Sequence, residues 1–227
     1  MTILSALQSA AIKLNQPRPA TVFGSTDTFP LELADLANET AAAIAKAHEW
    51  QVLTKLATLT GDGATTSYSL PSDYDRLPLK ANLLTSQFSS PLTMARDLDE
   101  WLDFQIRPFI GAPGYWIVLG GEVQVVPAIE TGVTAQFYYI GNQFVVGGKP
   151  AFTLDADTFL LPERLITLGV VWRWKAQKGL EYAEHLKNFE IAFAEETGRD
   201  RGQRIIPMGR RRIPYGAELA YPGNITP

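Results

Sequence analysis

Two acidic clusters are the first places in this sequence where residue types and spacing suggest chemistry. Asp97, Asp99 and Glu100 lie within four residues, and Asp155 and Asp157 are two residues apart. Carboxylates at this spacing can ligate a hard cation or form the acid–base pair of a glycan hydrolase. Both clusters lack the glycine and the distal glutamate of an EF-hand, and both suit solvated carboxylates or acids at a helix N-terminus. A glycan hydrolase that uses Asp97, Asp99 or Glu100 is therefore an alternative that we do not favour.

Other residue types that carry catalysis are scarce. The chain has no cysteine, which excludes disulfides, thiolate metal sites and cysteine nucleophiles. His48 and His185 are the two histidines, and neither has a neighbouring serine or carboxylate pattern that resembles a triad. We predict no catalytic residue, no metal site and no cofactor, and hence a protein that is not an enzyme.

A cluster of arginines near the C-terminal end is the strongest unexplained feature. Half of the 12 arginines lie between Arg199 and Arg212, and apolar residues alternate with them as far as Tyr215. Binding to phosphate requires the charge but not the apolar residues. A mixed segment better suits an acidic, apolar groove on another protein. Docking to a protein is our favoured interpretation; a nucleic-acid-binding module and a solvated tail are the alternatives.

The net charge of −4 conceals an uneven distribution. From Gly198 onwards, six arginines oppose Asp200 and Glu218, a net charge of +4, whereas residues 1–197 carry 14 basic and 22 acidic residues, a net charge of −8. An acidic body of this kind excludes a globally basic protein that coats nucleic acid. The apolar runs are far shorter than the ~20 residues of a membrane helix, and no signal peptide is readable. We expect a protein that is soluble and intracellular when made, with no membrane partner.

Apolar periodicity predicts helices at both ends of the chain. Two precede residue 50, at about 2–14 and 28–47. Two follow residue 160, one from Pro162 to Gly179 and one from about Glu181 to Thr197 that ends at Gly198. We expect these four helices to pack into one bundle. The tryptophans on or beside helical stripes are predicted to be core residues: Trp50, Trp101, Trp172 and Trp174.

Frequent turn residues between the helices predict a mostly antiparallel β region. Gly61-Asp62-Gly63 predicts a hairpin of 53–60 with 65–70, Gly120-Gly121 predicts a second hairpin, and Gly141-Asn142 predicts pairing of 133–140 with 144–146. A short amphipathic helix of about ten residues is predicted around Trp101. The fold class is therefore α+β, a helical bundle with an inserted antiparallel β domain and an extended C-terminal arm. Its predicted parts are the N-terminal helices 1–50, the β-rich insertion 51–159, the C-terminal helices 160–198 and the Arg-rich arm 199–227.

Two stretches of the sequence carry motifs that are shared with known proteins. The first comprises Glu49-Trp50-Gln51-x-Leu53, Thr58-Leu59-Thr60-Gly61-Asp62-Gly63 and Tyr68-Ser69-Leu70-Pro71-Ser72-Asp73-Tyr74. The second comprises Leu161-Pro162-Glu163, Gly169-Val170-Val171-Trp172-Arg173-Trp174-Lys175 and Lys178-Gly179-Leu180-Glu181-Tyr182-Ala183. Together they resemble the head-to-tail adaptor (connector, or tail-accessory) proteins of tailed bacteriophages. The resemblance covers most of residues 1–200, and its motifs are structural positions of a fold. The β region is longer than compact helical adaptors require, so contacts made by 51–159 are not carried over.

The resemblance implies a structural role at the head–tail junction of a virion, after synthesis in the host cytoplasm. Such proteins form a ring, usually of twelve copies, that docks on the portal, joins it to tail or neck proteins and surrounds the DNA channel. Double-stranded DNA would pass through that channel without sequence-specific binding, and an acidic body suits such passage because it repels phosphate. The family's C-terminal arm often climbs onto the portal. The predicted portal-contact residues here are Arg199, Arg201, Arg204, Arg210, Arg211, Arg212, Ile213 and Tyr215.

Overall fold

A computed structural model of the chain describes residues 2–107 and 114–201. Within these ranges the helices are α1 (Ile3–Lys13), α2 (Thr28–Ala47), α3 (Leu98–Ile106), α4 (Glu163–Gln177) and α5 (Ala183–Arg201). The strands are β1 (Thr54–Thr60), β2 (Ser67–Ser69), β3 (Tyr74–Arg76), β4 (Leu84–Thr85), β5 (Thr93–Met94), β6 (Tyr115–Leu119), β7 (Glu122–Val126) and β8 (Thr134–Gly141). The predicted α+β class is confirmed. The described residues form two compact units, a helical unit of 2–54 and 140–201 and a β unit of 55–107 and 114–139.

Helix α4 occupies the centre of the helical unit. It packs against α1, α2 and α5, so helices from both ends of the chain share one bundle, as predicted. Its buried residues, which include Leu165, Val170 and Trp174, lie on more than one face because neighbours surround it. Gly169 faces α2 so closely that an added Cβ would collide with Cγ2 of Thr40. The bundle therefore depends on a residue without a side chain at this crossing.

The ends of α4 and α5 show how context decides the effect of a glycine. Gly179 has φ +68° and follows α4, and the N–H of Leu180 donates to the carbonyl of Lys175 at 2.9 Å, as in a helix C-cap. This predicted end is confirmed. The prediction that Gly198 ends the last helix is wrong, because α5 continues through it to Arg201. The extra turn is held by Asp200, whose carboxylate accepts the N–H of Gln51 at 3.1 Å.

An aromatic cluster ties residues 140–162 to the helical unit. Phe144, Phe152 and Phe159 have ring centroids 5.8–6.2 Å apart and belong to the same core as the helices. Val145 forms bridges with Lys149 and Phe159. The predicted pairing of 144–146 with the strand at 133–140 is therefore wrong, since this stretch folds back on itself to bury its aromatic side chains.

Two sheets form the β unit. One has the order β1-β8-β3, with β4 also paired to β8, and the other has the order β2-β7-β6-β5. The predicted β6–β7 hairpin is confirmed, with Leu119 opposite Glu122 and both turn glycines, Gly120 and Gly121, at positive φ. Side chains of both sheets, including Trp116 of β6 and Phe137 of β8, share one apolar core.

The predicted hairpin at Gly61-Asp62-Gly63 is wrong, because β1 and β2 belong to different sheets. The Asp62 carboxylate accepts the N–H groups of Ala64 and Thr65 at 2.9 and 2.6 Å. The N–H of Gly61 donates to the carbonyl of Val133, and that of Gly63 to Ile129. These bonds hold the turn against 129–133, so the chain leaves the sheet instead of returning along β1. The bounds of the four predicted segments stay predictions, and most of the last one, 199–227, lies outside the described residues.

Candidate interaction surfaces

The acidic cluster before α3 serves the start of that helix. Asp97 is the N-cap residue, and its Oδ1 accepts the N–H of Glu100 at 2.7 Å. The Glu100 carboxylate in turn accepts the N–H of Arg96 at 2.6 Å. The first bond is an N-cap bond, which satisfies an N–H group that has no partner within the helix. The second bond differs from that of a capping box, because Glu100 binds the residue before the N-cap and not the N-cap itself. Asp99 is exposed on the first turn, where its charge suits the helix dipole. The spacing that suggested a glycan hydrolase therefore has a structural cause.

Asp155 holds the segment that follows α1. Its Oδ1 accepts the N–H groups of Val22 at 3.0 Å and Phe23 at 2.9 Å, and its Oδ2 accepts the hydroxyl of Thr21. Burial raises the pKa of Asp155, but these three hydrogen bonds outweigh it and lower the pKa below the ordinary value.

Asp157 organises its own loop in the same way. Its carboxylate accepts the N–H groups of Thr153 at 2.8 Å and Leu154 at 2.9 Å, and Nζ of Lys149 lies 2.7 Å from its Oδ1. Burial raises the pKa of Asp157, but Lys149 and the two N–H groups lower it to about 2. Both aspartates of this cluster therefore bind backbone. Across residues 2–107 and 114–201, no group of three or more metal-ligating side chains is close enough to hold a metal ion.

The C-terminal turn of α5 borders an open cavity of about 290 Å³ in the helical unit. Trp50, Leu161 and Arg199 are among the lining residues. Beside it, Oδ2 of Asp200 lies 3.2 Å from Nε2 of His48, in addition to its bond with Gln51. These contacts fix the point from which the Arg-rich segment departs.

The structure places only the first predicted portal-contact residues. Arg199 lies on α5 and pairs with Glu196 at 3.1 Å, and Arg201 is the last residue of that helix. The structure does not test whether either one contacts a portal. The other candidates lie outside the described residues: Arg204, Arg210, Arg211, Arg212, Ile213 and Tyr215.

A second groove, of about 300 Å³, lies between α2 and α4. Arg173 pairs with Glu39 across it, and the guanidinium carbon of Arg173 lies 5.1 Å from the ring centroid of Trp172. Nε1 of Trp172 and Nε of Arg173 are buried and have no hydrogen-bond partner in the part of the chain that the structure describes. Sequence reasoning assigned Trp172 to the core, yet it is only half-buried, whereas Trp174 is buried. Two tryptophans two residues apart on a helix face different directions, which is the signal that distinguishes them.

These contacts describe a chain whose clustered acids hold its own backbone and whose helical grooves lie open at the surface. A comparison with family models matches the SU10 adaptor protein family over residues 1–212. The chain belongs to the SU10 adaptor protein family, which confirms its resemblance to phage head-to-tail adaptors.

No curated protein sequence matches the chain significantly. Among the described residues, the helices are too short or too polar to cross a membrane.

Proposed function

We propose that the chain forms a ring of twelve copies that docks on the portal, joins it to tail or neck proteins and surrounds the channel for DNA. The observation that carries the proposal is the match to an adaptor family over residues 1–212. In this proposal the protein is a non-enzymatic component of the virion at the head–tail junction. Its helical unit forms the ring wall, and its β unit faces the tail or a neighbouring copy.

Exposed apolar side chains on the helical unit support lateral contacts between copies. Ile12 of α1, Leu31 of α2 and Ile191 of α5 are each about half exposed or more. The groove beside Trp172 and Arg173 adds a concave surface into which a neighbouring copy can pack. A protomer that buries several such surfaces in a ring has little need for charge, in keeping with the low charged fraction of 19%.

The charge distribution supports passage of DNA and a separate role for the arm. The net charge of −8 on residues 1–197 repels phosphate, so DNA slides without binding a particular sequence. The arm combines Arg210, Arg211 and Arg212 with Ile213 and Tyr215, a composition suited to an acidic, apolar site on the portal. Repeated over many copies, even weak arm contacts give strong overall binding.

Portal binding by an arm variant tests the proposal. The variant carries Arg210→Glu, Arg211→Glu and Arg212→Glu, and its control carries three reversals of exposed lysines, Lys13→Glu, Lys46→Glu and Lys187→Glu, with the same change in net charge. We expect the arm variant to lose co-sedimentation with portal rings and the control to retain it. Deletion of 202–227, which leaves α5 whole, should have the same effect as the arm variant.

Electron microscopy of the purified chain, alone and with portal rings, tests assembly separately. We expect the chain to form a ring, either alone or once portal rings are present. The copy number can then be counted in end views of that ring. Normal binding by the arm variant would refute the arm's role, and failure to form a ring in either sample would refute the adaptor ring.

A further inference from the structure

Helix α3 has an inner face that is firmly packed within the β unit. Trp101 is buried, and its indole N–H donates to Oε1 of Gln124 at 3.2 Å. Phe104 stacks on Tyr115 of β6 with ring centroids 3.4 Å apart. These contacts fix the rotation of the helix, and thereby determine which residues point away from the sheet.

The outer face of α3 is an exposed apolar stripe. Leu98, Leu102 and Ile106 follow one another at four-residue steps and are 57%, 52% and 68% exposed. They cover about 12 Å along the helix. Asp99 and Asp103 border the stripe on one side, since each lies one position after a stripe residue. A helix face that only meets water carries polar residues, so this pattern indicates a surface that another segment covers.

The Arg-rich segment of the chain has the complementary composition. Arg204-Ile205-Ile206-Pro207-Met208 places a positive charge directly before four apolar residues, and it belongs to the 26 residues that follow the end of α5 at Arg201. Four residues in extended conformation span about 13 Å, close to the length of the stripe. Pro207 favours an extended conformation at Ile206 and has no N–H to leave unpaired.

We propose that residues 204–208 bind the outer face of α3. The apolar side chains cover Leu98, Leu102 and Ile106, and Arg204 pairs with Asp99. Asp103, which lies 3.8 Å from Arg107, adds negative charge beside the stripe. This contact is separate from the proposed portal contact, which uses Arg210–Tyr215 beyond Gly209. The two apolar groups of the arm thus have different partners, and the α3 contact holds whether or not the arm binds a portal.

Disulfide trapping tests the contact in the full-length chain. Because the chain has no cysteine, two introduced thiols are the only ones present. The test pair is Leu102→Cys with Ile206→Cys, and the control pair is Ile12→Cys with Ile206→Cys, where Ile12 is a 64% exposed residue of α1. Under mild oxidation we expect the test pair to cross-link about tenfold faster or more, because docking raises the local concentration of the two thiols. On a gel without reductant, the cross-linked chain runs as a monomer if the segment comes from the same copy and as a dimer or larger species if it comes from a neighbour.

Two further variants make the test discriminating. Adding Asp99→Asn and Asp103→Asn to the test pair should slow the cross-link, as should added salt, because both weaken pairing with Arg204. Leu98→Cys in place of Leu102→Cys repeats the test if the first variant folds poorly. Equal rates for the test and control pairs would overturn the proposal. So would rapid dimers of Leu102→Cys alone, which would mean that two α3 stripes pack on each other.

Discussion

The crossing of α2 and α4 gives a prediction whose magnitude follows from the structure. In Gly169→Ala the new methyl group would collide with Cγ2 of Thr40 and lie 3.4 Å from Cε2 of Phe189 on α5. Overpacking of this kind costs about 1–3 kcal/mol. Alanine in a helix interior recovers about 0.5–1 kcal/mol relative to glycine. We therefore expect the free energy of unfolding to fall by roughly 1–2 kcal/mol.

Two variants isolate the collision from the helix propensity. Gly198→Ala lies in α5, where an added Cβ meets nothing within 4 Å, so it should raise the free energy of unfolding by about 0.5–1 kcal/mol. Thr40→Ser removes the obstructing methyl group. In a double-mutant cycle we expect it to restore about 1 kcal/mol or more of the unfolding free energy that Gly169→Ala loses. Urea unfolding followed by circular dichroism measures all five proteins: the wild type, the three single variants and the double variant; the slopes are compared between them. The close crossing would be refuted if Gly169→Ala were as stable as Gly198→Ala, or if Thr40→Ser did not alter its effect.

Three further predictions concern polar contacts. Asp157→Asn should lower the free energy of unfolding by about 1–3 kcal/mol in urea titrations, since two backbone N–H groups lose a charged acceptor. The pKa of Asp157 is lowered from 3.8 to about 2. Its contribution to the free energy of unfolding is therefore present above the pKa of the unfolded chain and is lost as the pH falls through about 2. A pH-independent difference in stability between the wild type and Asp157→Asn would contradict this. Asp97→Ala should cost about 1 kcal/mol in the same assay, through loss of the N-cap of α3, and an unchanged stability would contradict that role. Tyr139→Phe should cost about 1–2 kcal/mol, because Tyr139 donates to Asp73 at 2.8 Å. In the wild type, burial and that acceptor raise the pKa of Tyr139 to about 12, and burial also raises the pKa values of Tyr68 and Tyr74. Spectrophotometric titration should therefore show these tyrosines ionising later than an ordinary one, and Tyr139→Phe should remove one of them.

Local signals in the sequence identified the helices, whereas distant contacts decided where some elements ended and paired. Periodic apolar residues specify α2 and α4 without knowledge of the rest of the fold. Gly179 and Gly198 look alike in sequence, yet only Gly179 ends its helix. The difference comes from Asp200, which binds Gln51, a residue 149 positions away. Such a contact leaves no trace in the residues around Gly198.

The Asp62-Gly63 turn failed as a hairpin signal for a similar reason. Its type was recognisable, but its partners lie at 129–133, so the two strands that flank it join different sheets. In contrast, the β6–β7 hairpin has its glycines and its register within one short stretch, and the sequence was sufficient to predict it. Pairing is predictable from sequence where the contacts are local.

For the acidic clusters, the sequence favoured solvated carboxylates or acids at a helix N-terminus over catalysis. Asp97 and Glu100 do lie at the N-terminus of α3, whereas Asp155 is bound to backbone N–H groups of a distant segment, a contact that residue type alone did not indicate. The two-residue spacing of Trp172 and Trp174 indicates that they face different directions, but which direction is buried depends on the helices that pack around α4. The Trp, Gly and Pro positions that carried the family resemblance are positions that shape the fold, and the resemblance held over nearly the whole chain.

The proposed α3 contact has a consequence for assembly that depends on symmetry. Each copy has one apolar stripe on α3 and one Arg-rich segment, and the two surfaces differ. If a neighbouring copy supplies the segment, the contact is heterologous, and repetition gives a closed ring when the rotation per copy divides a full turn and an open filament otherwise. Closure at a fixed number therefore requires rigid surfaces in addition to an arm. The open groove beside Trp172 and the exposed residues Ile12, Leu31 and Ile191 are among the described surfaces available for that purpose. In this scheme the arm segment selects the neighbour, and the packing of the helical units determines the number of copies.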